Sequence, residues 1–176
     1  DLAVWKTLEK TVLPKLLEQL EDRPIKVWSV GTSTGEEAYS VAMLLHEALS
    51  KAGKTNTVRI FATDIDENAL SFASKGIYPS SIVADVPSNR LCTHFVRHGD
   101  DYRVSDELRK MVIFSQHNIL KDPPFSRMDL VLCRNMLIYL QPNAQHKAVS
   151  MLLYAMIVGG HLVRGSCESV GDRRSE

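Results

Sequence analysis

Val27-Trp28-Ser29-Val30-Gly31-Thr32-Ser33-Thr34-Gly35-Glu36-Glu37-Ala38-Tyr39 is a β-branched and aromatic run that breaks at a glycine-punctuated loop and restarts with helical spacing. Ile25 to Val30 reads as a strand, and Ala38, Val41, Ala42, Leu44, Leu45, Ala48 and Leu49 recur along one helix face. Glycine lets a backbone turn tightly and approach a ligand closely, so this strand-loop-helix unit predicts an α/β fold with its ligand beyond a strand end. Two carboxylates, Glu36 and Glu37, stand at the helix start. A phosphate cradle would need Lys followed by Ser or Thr there, and a dinucleotide fingerprint would need a third glycine and no acid facing the pyrophosphate. Neither pattern is present.

Moving outward, Val4, Leu8, Val12, Leu13, Leu16, Leu17 and Leu20 predict an amphipathic helix over the first twenty residues, with Pro14 as a kink or break. Val58 to Thr63 is a second strand, followed by Asp64-Ile65-Asp66 and a helix from Glu67 to about Lys75 that stops at Gly76, with Asp66 as its cap. Tyr78 to Lys110 fits neither period and reads as an insertion containing a hairpin, Phe95 to Arg97 and Tyr102 to Val104. Val112 to Ser115 and Asp129 to Cys133 are the next strands. Asn143 to Ile157 is a helix, and His161 to Arg164 a strand after a Gly159-Gly160 turn. Alternation of this kind predicts a doubly wound, mostly parallel sheet with helices on both faces. One domain over 1–176 is expected, with the helix inside 1–24 and the insertion at about 78–110.

Composition narrows the partners. Lys plus Arg and Asp plus Glu both total 21, so no net field draws the chain toward nucleic acid or anionic lipid. Cys92, Cys133 and Cys167 have no zinc-ligand spacing, and their odd number suits free thiols in a reducing compartment. No apolar run has the length of a membrane span and no signal peptide opens the chain, which makes the cytoplasm the expected location. The six histidines lie on different elements without helical ligand spacing, so no metal is expected.

In a parallel sheet the residues after each strand are the ones to weigh. The acids of the first loop either complement the helix dipole or hold a cationic ligand, such as the α-amino group or sulfonium of S-adenosylmethionine. Asp64 can accept both hydroxyls of a ribose, although Asp64 and Asp66 compete for that role and either could cap the next helix. Asn118 and Asn135 follow the third and fourth strands. Each alone would be a loop residue satisfying local backbone; four polar groups after four successive strands point together to a site. Asp122-Pro123-Pro124-Phe125 is similar to the motif of nucleic-acid amino-methyltransferases, but it precedes the fourth strand instead of following it, and reads as a rigid turn. Tyr39 either faces the cleft or packs.

These strings in this order resemble the CheR-type chemotaxis protein-glutamate O-methyltransferases. The matching residues are Val27 to Gly31 with Ser33 to Ser40, Ala62 to Asp66, Asn118-Ile119-Leu120, Cys133-Arg134-Asn135-Met136-Leu137-Ile138-Tyr139, and Gly159-Gly160 with Glu168-Ser169. The wording of the first loop and of Lys121 to Ser126 is similar to versions fused to a methylesterase and sensor domains. The resemblance implies a Rossmann-like class I methyltransferase fold and S-adenosylmethionine as methyl donor, with S-adenosylhomocysteine as product and a receptor glutamate as acceptor. It implies cofactor contacts from Glu36, Asp64, Asn118, Ile119, Asn135 and Met136 beside the Gly31 turn. Arg134 would orient the substrate carboxylate through paired hydrogen bonds or anchor the sheet. The partner implied is a chemotaxis receptor or receptor-like signalling protein, with neither nucleic acid nor membrane insertion; the short hairpin loop argues against capture of a receptor tether.

Departures from the family pattern carry their own expectations. Its Asn-Leu-Thr-x-Phe-Phe-Arg segment would lie just before Asp1, its Gly-His-Ser-Glu string is Gly165-Ser166-Cys167-Glu168 here, and no room remains after Gly171 for the last strands. A fragment or degenerate copy with an exposed sheet edge is therefore expected, and a cofactor-binding module without transferase activity is the main rival to an enzyme. A dehydrogenase-like domain, which would bind NAD, is disfavoured by the missing glycine and by Glu36.

Overall fold

The computed structural model describes residues 2–165. Its centre is a five-stranded parallel sheet in the order β6-β2-β1-β7-β8. The strands are β1 (Ile25–Val30), β2 (Val58–Asp64), β6 (Val112–Gln116), β7 (Met128–Cys133) and β8 (Met156–Arg164). The chain steps outward from β1 to β2 and β6, then returns to the other side of β1 for β7 and β8. That reversal creates a topological switch point between β1 and β7, where a crevice opens at the carboxyl ends of the strands.

Alternation along β1 sends Ile25 and Val27 to one face and Trp28 and Val30 to the other, where they join separate apolar clusters. The first face is covered by the N-terminal helix and by α3 (Glu36–Ala52), the second by α7 (Pro142–Ala155) through Ala148, Leu152 and Ala155. Each large side chain buried in this way contributes about 1.5–3 kcal/mol relative to exposure. β7 is buried along its whole length, as expected of a strand covered on both faces. The N-terminal helix runs through Pro14 without a break. α1 (Leu2–Thr7) and α2 (Leu13–Glu18) are joined by a π-helical stretch, Leu8–Val12, in which the Leu13 N–H reaches back to the Leu8 carbonyl. The wider turn accommodates the ring that an α-helical turn would exclude.

Between α4 (Glu67–Lys75) and β6 the chain forms a second, three-stranded sheet, β3-β5-β4, from β3 (Ile77–Tyr78), β4 (Phe95–His98) and β5 (Asp101–Val104), together with α5 (Ser88–His94) and α6 (Asp106–Arg109). The expected hairpin is present, with Gly99-Asp100 as its two-residue turn. This subdomain is fastened to α3 by charge: Arg90 bonds Glu47 at 2.7 and 2.9 Å, Glu9 lies 3.5 Å from Arg90, and His94 Nε2 lies 3.1 Å from Glu47 Oε1. Burial alone would raise the Glu47 carboxyl, but the Arg90 and His94 bonds outweigh it and hold the group below its ordinary value. His46 packs edge-on against His94 and meets Glu107, so two histidines from distant sequence positions share one cluster.

The Gly159-Gly160 turn is a correction. Both glycines lie inside β8, at an irregularity where the register shifts between Met128 and Leu130. Gly159 has φ +81°, and a Cβ on Gly160 would lie 3.0 Å from the Ile157 carbonyl and 3.1 Å from that of Met128, so the bulge needs glycine. The helix before it ends at Ala155 because Met156 and Ile157 have joined the strand. Cys167 and the Glu168-Ser169 pair lie outside the described residues.

Candidate active site

At the switch point a cavity of about 870 Å³ opens over the carboxyl ends of β1, β2, β6 and β7. Every residue expected at the site lines it: Gly31, Glu36, Asp64, Asn118, Ile119, Arg134, Asn135 and Met136. The volume falls within the range of small-molecule sites.

Its floor is the loop between β1 and α3. Gly31 turns at φ +67°, and a Cβ there would stand 3.1 Å from Met136 Cγ, so glycine keeps the cavity open beneath Met136. Ser33 and Asn135 are also left-handed, at φ 49° and 59°, a backbone conformation that costs energy outside glycine and collects at functional sites. The two acids are held differently. Glu36 begins α3 and its carboxylate accepts from the Thr34 hydroxyl at 2.7 Å, so it sits at the positive end of the helix dipole while facing the cavity. Asp64 ends β2; one oxygen accepts the Ser33 N–H at 2.7 Å and the other the Asp66 N–H at 3.1 Å. A carboxylate has lone pairs beyond those two bonds, enough for further donors from a ligand. Asp66 is the helix cap, accepting from the Asn68 and Ala69 N–H groups, which separates the roles of the two aspartates.

Glu37 faces inward from the same helix start. It accepts from Ser29 Oγ at 3.0 Å and lies 3.5 Å from Arg134 Nη1. The Arg134 guanidinium also stacks 5.2 Å from the Trp5 ring, so it ties β7 to α3 and to the N-terminal helix. This geometry matches the anchoring account of Arg134. Asn118 Oδ1 accepts the Leu120 N–H, while Asp122 accepts the Asn118 N–H at 2.7 Å, so the Asp122 motif is a structural turn. Phe125 of that motif is packed among Trp28, Phe61 and His117. Tyr39 is packed as well, its hydroxyl donating to the Ala73 carbonyl. Among the described residues, no group of three or more His, Cys, Asp or Glu side chains could hold a metal ion.

Sequence inspection missed several lining residues: Trp5, Thr32, Ile65, His117, Leu120 and Tyr139. Ile65 is 66% exposed at the rim, and its place in the sequence, an apolar residue between two aspartates directly after a strand, was the signal available for it.

The family described as CheR methyltransferase, SAM binding domain, matches residues 1–176. The chain belongs to that family. A chemotaxis protein methyltransferase of Listeria monocytogenes is 35% identical over 94% of this CheR-family chain, which spans 62% of that relative's length. An uncharacterized 104.1 kDa protein of Rhodobacter capsulatus is 41% identical over 92% of the chain and 17% of its own length. Among solved structures, the S-adenosylmethionine-dependent methyltransferase SibL in its apo form superposes with TM-score 0.54 at 17% identity, covering 98% of this chain and 38% of that one. A LepI complex with SAM gives 0.51 at 14% identity, covering 92% and 32%. Both establish the Rossmann-like methyltransferase fold.

S-adenosylmethionine is the cofactor of this CheR domain. The cavity has groups that fit it: a carboxylate at the start of α3 and another at the end of β2, a glycine turn that keeps side chains away, and apolar Ile65 and Ile119. Of the lining residues, Thr32 Oγ1, His117 Nδ1 and Arg134 Nε are buried without a hydrogen-bond partner among the described residues. Buried polar atoms without partners are rare, and three on one cavity's lining suit a polar ligand.

Proposed function

We propose that the domain binds S-adenosylmethionine in this cavity and catalyses transfer of its methyl group to glutamate carboxylates of a chemotaxis receptor or receptor-like protein, in the cytoplasm. The observation that carries this reading is that Glu36, the first residue of α3 after the β1 loop, and Asp64, the last residue of the neighbouring strand β2, line the same cavity as the Gly31 turn. In this reading Asp64 accepts the ribose hydroxyls, Glu36 holds the α-amino group, and Ile65, Ile119 and Met136 bound the adenine and thioether portions. Asn118 and Asn135 supply polar contacts at the ends of β6 and β7.

The bound cofactor supplies an electrophilic methyl on a sulfonium. The acceptor carboxylate is already a nucleophile, so the protein's task is to hold it in line and exclude water. No general base is required. Tyr139, 82% exposed at the cavity mouth, is placed to meet an incoming side chain. Arg134 contributes from below, by holding Glu37 and the loop base.

Titration calorimetry with S-adenosylmethionine and S-adenosylhomocysteine, with NAD as control, tests the pocket: both sulfur ligands are expected to bind and NAD to give no heat. Transfer of labelled methyl to a receptor fragment, lost on alkaline ester hydrolysis, then tests the reaction. The engagement of Arg134 by Glu37 and Trp5 favours a second reading, a cofactor-responsive module within a larger protein. That reading predicts binding without transfer.

A further inference from the structure

We infer that Tyr78, on the first strand of the inserted subdomain, is a positioning residue for the cofactor loop. Its side chain is buried, and its hydroxyl donates to the Thr34 carbonyl at 2.7 Å, across 44 residues of sequence. Thr34 in turn donates its own hydroxyl to Glu36, so one bond from the small sheet fixes the residue that orients the carboxylate. The fit is tight. Gly35 stands at φ +91°, and a Cβ there would lie 2.8 Å from Ala73 Cβ, 3.1 Å from the Tyr78 oxygen and 3.3 Å from Phe114 Cε1. Tyr78 is held by edge-on contacts with Tyr39 and Phe72 and by its pairing with Tyr102 on β5. Burial, reinforced by the nearby Glu36 carboxylate, pushes its hydroxyl well above the ordinary value, so it remains a donor across the working pH range.

The two acids therefore depend on the insertion unequally. Asp64 is placed by β2 itself, with the Ser33 and Asp66 N–H groups on its two oxygens, whereas the Glu36 carboxylate is oriented through the hydroxyl of Thr34, the residue whose carbonyl Tyr78 holds. The inserted sheet thereby acts most directly on the amino-acid end of the cofactor pocket, whereas the nucleoside end is carried chiefly by the β2 backbone. This inference rests on the pocket reading above.

The test is Tyr78→Phe, which removes only the hydroxyl, with binding of two ligands measured by calorimetry. S-adenosylhomocysteine has both ends; 5′-methylthioadenosine has the nucleoside end and no amino acid. Loss of about three- to tenfold in affinity is expected for S-adenosylhomocysteine, the size of one hydrogen bond, with no change for methylthioadenosine. Unchanged affinity for S-adenosylhomocysteine overturns the inference, and so does an equal loss for both ligands, which would reveal general support. A variant without a cooperative unfolding transition overturns it too, by making Tyr78 a determinant of the fold. If the wild-type chain binds neither ligand, the pocket reading fails and Tyr78 is judged on amide exchange alone. Faster exchange at Gly35 and Tyr39 in the ligand-free variant then upholds the brace, and unchanged exchange overturns it.

Discussion

The two ends of the central sheet are built from the same strands and treat polar groups in opposite ways. At the amino end, Asp129 of β7 is buried, accepts both guanidinium nitrogens of Arg23 at 2.6 and 3.0 Å, and also accepts the Lys26 N–H of β1. That carboxylate is consumed internally, clamping β7 to β1, and the hydrogen bonds that Arg23 donates to it raise the guanidinium above its ordinary value. At the carboxyl end, Glu36 accepts from the Thr34 hydroxyl and Asp64 from two exposed backbone N–H groups, the backbone turns left-handed at Gly31, Ser33 and Asn135, and Thr32 Oγ1 has no partner among the described residues. A closed polar group stabilises the fold; an open one stabilises whatever enters. The difference between the ends separates residues that hold the sheet from residues offered to a ligand.

Breaking the closed end should have the largest effect. Asp129→Ala is expected to cost about 2–3 kcal/mol in denaturant unfolding, less than a fully buried pair because Arg23 is partly solvated, with cofactor affinity unchanged in the folded fraction. The open end should respond inversely: Asp64→Ala should lose about 10- to 100-fold in calorimetric affinity for S-adenosylhomocysteine while the unfolding midpoint barely moves, since water replaces its exposed backbone donors. Parallel losses of affinity and stability in either variant would erase the contrast. Gly160→Ala, away from both ends, should lower stability by about 1–2 kcal/mol, because two of the three close contacts of the added Cβ, and the nearest, are backbone carbonyls that cannot rotate aside; thermal unfolding reads it.

The smallest effect is one of pH. Glu47 has a folded-state value below its ordinary one, so its contribution is present above about pH 4.5 and is lost as the pH falls through the depressed folded value. Glu47→Gln should therefore flatten the acid side of the stability profile slightly, the more modestly because the pair is partly solvated, and leave ligand affinity untouched.

What could be read in advance followed from locality. β1, α3 and α4 each carry their own periodicity and a terminating glycine, Gly31, Gly53 and Gly76, within a few residues, and Asp66 was recognisable as a cap because the α4 pattern starts directly after it. Glu36, Asp64, Asn118 and Asn135 were legible because topology alone places the residue after each parallel strand. The remaining features depend on partners far along the chain. Gly159 and Gly160 have the composition of a turn, and only the opposing Met128 carbonyl makes them a bulge. Pro14 suggests a break until the Leu8 carbonyl is seen to accept from Leu13. Trp5 looks like one more apolar residue of an amphipathic helix, yet it lies under Arg134 from the other end of the molecule. Tyr78 has no local mark that it touches Thr34.

The chain's two tryptophans differ in the same way as the two ends of the sheet. Trp28 is wholly buried, with its indole N–H given to Thr63 Oγ1, whereas Trp5 lies in the cavity wall against the Arg134 cation. One indole is thus a sheltered emitter and the other a lamp set beside the door. Filling the cavity changes the polarity and quenching around Trp5 directly and reaches Trp28 only through His117, so occupancy can be followed by Trp5 emission with no label attached.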